Sequence, residues 1–122
     1  MKTAMLKMSA LDQKFLDKVI SIIEHNMKKG IDVDINTIAR EVGLSKSSFY
    51  RKIKLITDLS PVEFVKNIRL KHAYELLEGG ETSLDAIAYS TGFSGAKYLS
   101  TCFKEQFGIT PTEFLRKRGL VD

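Results

Sequence analysis

Four basic side chains, Lys46, Arg51, Lys52 and Lys54, fall within nine residues that contain no acid. Cations set this close do one kind of chemistry well: they hold a polyanion. The rest of the chain makes the cluster stand out. Residues 1–60 carry 11 Lys and Arg against 7 Asp and Glu, whereas residues 61–122 carry 8 of each. The whole net charge of +4 therefore belongs to the first half. The same four bases also suit a plain solvated helix face, and charge alone does not separate the two readings.

Other chemistries find little support. Cys102 is the one cysteine, which excludes an internal disulfide and a thiolate-rich zinc site. Its neighbours Leu99 and Phe103 suit a packed filler better than a redox switch. His25 and His72 have no cysteine or acid cluster around them and read as surface or partly packed residues. No nucleophile–base set and no glycine-rich phosphate loop is present, so neither an enzyme, a metal nor a cofactor is expected. No apolar run approaches 18 residues, and Met1 to Ala10 lack the apolar core of a signal peptide. The expected location is cytoplasmic, with no membrane contact.

The elements that must position the basic cluster read as helices throughout. A first helix is expected over Ala10–Lys29, with Phe15, Val19, Ile22, Ile23 and Met27 as its buried stripe. Asp34 caps a second that ends near Val42. Ser45 caps a third, from Lys46 to Ile56, which buries Phe49, Ile53 and Ile56 and leaves Ser47, Tyr50, Arg51 and Lys54 on its other side. Ser60-Pro61-Val62-Glu63 reads as a capping box opening a long helix to Glu78, stopped by Gly79-Gly80. Further helices are expected from the Ser83 cap to Thr91, from the Ser94 cap to Phe107, and from Thr110-Pro111-Thr112-Glu113 to about Arg118. The fold class is all-α with about seven helices. Residues 1–9 read as a tail or linker remnant.

Most of this plan is stated twice. Ile38-Ala39-Arg40-Glu41-Val42-Gly43-Leu44-Ser45 returns 49 residues later as Ile87-Ala88-Tyr89-Ser90-Thr91-Gly92-Phe93-Ser94. Phe49 and Ile53 return as Leu99 and Phe103, and Leu59-Ser60-Pro61-Val62-Glu63-Phe64 as Ile109-Thr110-Pro111-Thr112-Glu113-Phe114, now 50 residues later. The second copy thus has one extra residue just after its glycine turn. Each copy has the grammar of a helix-turn-helix: a short helix, a glycine turn and a second helix pinned to the first by its apolar back. Ile38, Ala39 and Val42 should meet Phe49 and Ile53; Ile87 and Ala88 should meet Leu99 and Phe103. A core helical hairpin would explain one copy as well. Two copies in register favour two reading helices, since an array of stacked repeats needs three or more.

These phrases resemble the DNA-binding domain of AraC/XylS-family transcription regulators. The resemblance runs from about Asp34 to Arg118. Phe49-Tyr-Arg-Lys-Ile-Lys54 and Phe103-Lys-Glu-Gln-Phe-Gly-Ile-Thr-Pro111 carry it beside the two glycine-turn phrases. The first helix, residues 49–61 and residues 69–77 are most similar to regulators in which this domain ends a hybrid two-component sensor. The resemblance implies two helix-turn-helix subdomains, at about 34–56 and 83–107, joined by a linker helix at about 61–79 within a domain of residues 10–122. It implies two reading helices in adjacent major-groove segments of double-stranded DNA. A linker rod of about 27 Å would set them about one turn of duplex apart, with some bend or adjustment, and an insertion of about five base pairs would separate them. The implied partners are duplex DNA, RNA polymerase where the regulator activates, and a sensor or dimerisation domain where the chain is part of a larger regulator.

Carried over by position, Lys46, Ser47, Tyr50 and Arg51 would contact bases or nearby phosphates. Arg51 would grip guanine bidentately, with a phosphate contact as the alternative. Lys54 would touch phosphate. The matching positions in the second copy are Ala96, Lys97, Ser100 and Thr101. Where Thr101 stands the family often has arginine, so the second copy is expected to read more weakly or more by DNA shape. A protein-interaction module, docking through the first or the long helix, is the competing function class.

Overall fold

The computed structural model describes residues 9–30 and 34–122. The expected tail at Met1–Met8 lies outside the described residues. Seven helices and no strand occur among those described: α1 (Ala10–Lys28), α2 (Ile35–Glu41), α3 (Lys46–Thr57), α4 (Pro61–Glu78), α5 (Leu84–Thr91), α6 (Ala96–Phe107) and α7 (Pro111–Lys117). The chain divides into two compact units, the first ending at Lys66 and the second beginning at Asn67. The boundary falls inside α4, an uninterrupted helix.

In the first unit α1 packs on α2 and α2 on α3. The buried hydrophobic residues are Leu16, Val19 and Ile23 of α1, Ile38 and Ala39 of α2, Phe49 and Ile53 of α3, and Phe64 and Val65 of α4. Each large side chain buried this way contributes about 1.5–3 kcal/mol. Val19 and Ile23 of the expected α1 stripe are fully buried, and its remaining members are not. Leu16 is buried, whereas Phe15, Ile22 and Met27 are half-buried, and Phe15 meets Phe49 edge-on at 6.2 Å. Val42 and Ile56 are half-buried at the margin of the core.

In the second unit α5 packs on α6 and α6 on α7. Ile87 and Ala88 share one core with Leu99, Cys102, Phe103, Phe114 and Leu115, closed by Leu70, Ala73 and Leu77 of α4. Tyr74 lies against this core, 5.2 Å from both Phe107 and Phe114 between ring centroids. Cys102 is a buried free thiol within it. Thr91 is buried where the first copy has Val42, and its hydroxyl donates to the Ile87 carbonyl at 2.7 Å. That back-bond removes the cost of burying an unpaired hydroxyl.

Most helix starts follow the sequence. Ser9, Asp34, Ser45, Ser83 and Thr110 each accept a first-turn backbone N–H. Both capping boxes close. Ser60 N–H donates to Glu63 Oε1 at 3.0 Å and Glu63 N–H to Ser60 Oγ at 3.2 Å. The Thr110–Glu113 pair repeats this at 2.8 and 3.1 Å. One expected cap is corrected. α6 is capped by Gly95, with no side-chain bond, and not by Ser94. Gly95 is the extra residue of the second copy; it moves the helix start one place on and leaves the Ser94 hydroxyl too early in the chain to reach the first turn.

Candidate nucleic-acid interface

The geometry of each helix pair begins at its turn. In the first copy Leu44 N–H donates to the Ala39 carbonyl at 2.9 Å and Gly43 N–H to Arg40 at 3.0 Å. In the second, Phe93 donates to Ala88 at 2.9 Å and Gly92 to Tyr89 at 3.4 Å. This paired pattern ends a helix through one residue in the left-handed region. Gly43 and Gly92 supply it, with φ of 76° and 83°. A Cβ on Gly92 would also stand 3.1 Å from Arg69 Nε, whereas one on Gly43 would meet nothing.

α3 then presents the side opposite Phe49 and Ile53. Lys46, Ser47, Tyr50, Arg51 and Lys54 are all exposed, Tyr50 by half. Among the described residues no acid pairs with Lys46, Arg51 or Lys97. Lys54 is engaged in part, because its ammonium donates to the Asp58 carbonyl at 3.2 Å. That bond closes the end of α3, where Asp58 takes a left-handed φ of 65°. The structure removes Lys52 from the group of four bases. Its ammonium lies 4.9 Å over the Phe15 ring and 4.0 Å from Asp12, so it faces α1.

α6 presents a smaller-featured surface. Lys97 and Thr101 are exposed; Ala96 and Ser100 are half-buried. Thr101 donates its hydroxyl back to the Lys97 carbonyl at 3.1 Å. Ser100, Thr101, Lys104, Glu105 and Thr110 line one open groove beside the helix. Lys104 was not among the expected site residues, yet it stands 50 residues after Lys54, at the same place in the repeat. That offset was the signal available for it.

Each capping box also acts on the acidity of its glutamate. Bonds from the Ser60 backbone and hydroxyl hold the Glu63 carboxyl below its ordinary range, with a smaller pull from Lys54 and Lys66. Thr110 does the same for Glu113, helped by Lys104 and Lys117. Among the described residues no group of three His, Cys, Asp or Glu is placed to hold a metal ion, and no helix is long and apolar enough to cross a membrane.

A family model described as a helix-turn-helix domain matches residues 38–117. A solved transcriptional regulator from Chromobacterium violaceum, of the AraC-type DNA-binding domain-containing proteins, superposes with a TM-score of 0.79 at 28% identity, over 90% of this chain and 96% of that one. The chain belongs to the AraC-type helix-turn-helix domains. The DNA-binding domain of the global transcriptional factor AdpA, solved with a target DNA, superposes with a TM-score of 0.73 at 26% identity, over 84% of this chain and 93% of that one. Histidine kinase P4 of Formosa agariphila is 36% identical over 109 residues, which is 89% of this chain and 8% of the kinase. The chain spans between 8% and 36% of the length of the first curated relatives it matches. An AraC-type domain is a sequence-specific DNA-binding module of transcription regulation, and not an enzyme.

Proposed function

We propose that this domain reads duplex DNA for transcription control with the exposed sides of α3 and α6. The observation that carries the reading is α3 itself. Its back is buried through Phe49 and Ile53, and its front offers Lys46, Ser47, Tyr50 and Arg51 at the N-terminal end, where a reading helix meets base edges. Arg51 grips guanine through its two-pronged guanidinium. Lys46, Ser47 and Tyr50 contact neighbouring bases or phosphates, and Lys54 a phosphate. On α6 the corresponding contacts come from Ala96, Lys97, Ser100 and Thr101. Residues 34–56 and 83–107 are then the two helix-turn-helix subdomains, 61–79 the linker helix and 1–9 a tail.

The likeness to a histidine kinase supports a place at the end of a hybrid two-component regulator, acting in the cytoplasm with RNA polymerase as the further partner. Sequence selection on random duplex, followed by gel shifts with specific and scrambled competitor, tests the reading. The selected duplex should resist scrambled competitor, and Arg51→Ala should lower specific affinity by about 1–3 kcal/mol and relax the base preference at one position. Equal loss on both duplexes would assign Arg51 to phosphate.

A further inference from the structure

The two reading surfaces offer different chemistry. α3 presents long donors in Lys46, Tyr50 and Arg51. α6 presents two methyl groups. Ala96, its first residue, has nothing else to offer, and it stands at the N-terminal end, where reading helices reach base edges. Thr101 is exposed, but its hydroxyl proton is spent on the Lys97 carbonyl at 3.1 Å. That leaves exposed Thr101 with a methyl and an acceptor oxygen to offer a groove. Ala96 and Ser100 are both half-buried, and Lys97 is the one long side chain of the four.

The major-groove edge of thymine is the base edge that carries a methyl group, and alanine and threonine methyls are its apolar partners. Short side chains also let a helix sit closer to the groove floor than arginine would allow. We infer that α6 selects thymine, through the Ala96 and Thr101 methyls packing on thymine C5-methyl groups. The operator is then asymmetric: guanine at the element read by α3, thymine at the element read by α6. This rests on the DNA-reading assignment above and adds the base class to it.

The test replaces one atom group at a time on the DNA. A duplex selected by the full chain is remade with deoxyuridine at each thymine, which deletes the C5-methyl and leaves pairing intact. One or two thymines in the α6 element should each lose about fourfold in affinity on replacement, the value of one buried methyl. Arg51→Ala should leave that sensitivity unchanged. Thr101→Ser deletes the side-chain methyl and keeps the hydroxyl, so at one of these positions replacement should no longer cost anything. Thr101→Val keeps a methyl and should retain the sensitivity. An enriched sequence whose thymines are all indifferent to deoxyuridine would overturn the inference and leave the DNA-reading assignment standing. A pool with no enriched sequence would overturn both.

Discussion

Arg51 and Lys97 are exposed cations in the reading halves of α3 and α6, but their surroundings differ. Arg51 has Ser47, Tyr50 and Lys46 beside it, whereas Lys97 stands among Ala96, Ser100 and Thr101. A cation working alone fixes its contact less well than one held within a polar face. Lys97→Ala should therefore cost less specific affinity than Arg51→Ala at matched salt, measured by anisotropy titration; the reverse order would refute the asymmetry between the copies. The turn glycines give a second comparison at this scale. Alanine at Gly43 meets only the left-handed backbone, costing about 1–2 kcal/mol. Alanine at Gly92 adds a 3.1 Å approach to Arg69. Denaturant melts should rank Gly92→Ala as the more destabilised, and equal losses would mean the Arg69 side chain yields freely.

At the scale of elements, the capping boxes make stability depend on acidity. Glu63 and Glu113 have their folded ionisation lowered by hydrogen bonds from Ser60 and Thr110. A group with a depressed folded value stabilises the fold above its unfolded value and loses that contribution as pH falls through the folded one. Thermal melting should thus be flat near neutrality and fall below the ordinary carboxylate range. Replacing both glutamates by glutamine should flatten that acid limb, and an unchanged limb would contradict the capping account. Most elements were legible in the sequence, because caps, glycine stops and apolar spacing are local signals. What escaped was set by packing or by one-residue shifts. Phe15 and Leu16 are equally apolar, and only contact with Phe49 and the rest of the core decides which is buried. Ser94 has a capping side chain, yet the inserted Gly95 takes the position. Lys52 looks like its basic neighbours until α1 brings Phe15 and Asp12 to it. Asp58 stands where the second copy has Gly108, and its left-handed backbone carries no sequence mark beyond that repeat. Asp58→Gly, which keeps the carbonyl that Lys54 bonds, should raise stability by up to about 1 kcal/mol, and a lower midpoint in denaturant would show that the left-handed backbone carries no strain at the aspartate for glycine to relieve.

For the molecule as a whole, the reading is that fixed cations on exposed helix faces bind the DNA backbone while α3 and α6 read bases. Both subdomains were legible because the chain repeats itself, and the expected difference between the copies was legible in Thr101; the packing of Lys52 on α1 and the bond of Thr101 to its own helix were not, because both depend on the folded chain. A duplex carrying both selected elements should bind more tightly than one in which the α6 element is scrambled. The central claim, sequence-specific binding of duplex DNA by neutralising phosphates and reading bases, is tested most directly by titrating the selected and scrambled duplexes across a salt series. Neutralising about five to seven phosphates should make log K fall with log salt at a slope of about −5 to −6, with the selected duplex the tighter binder at every salt concentration. A nearly flat response, with selected and scrambled duplexes bound alike, would contradict the account and favour a protein-docking module.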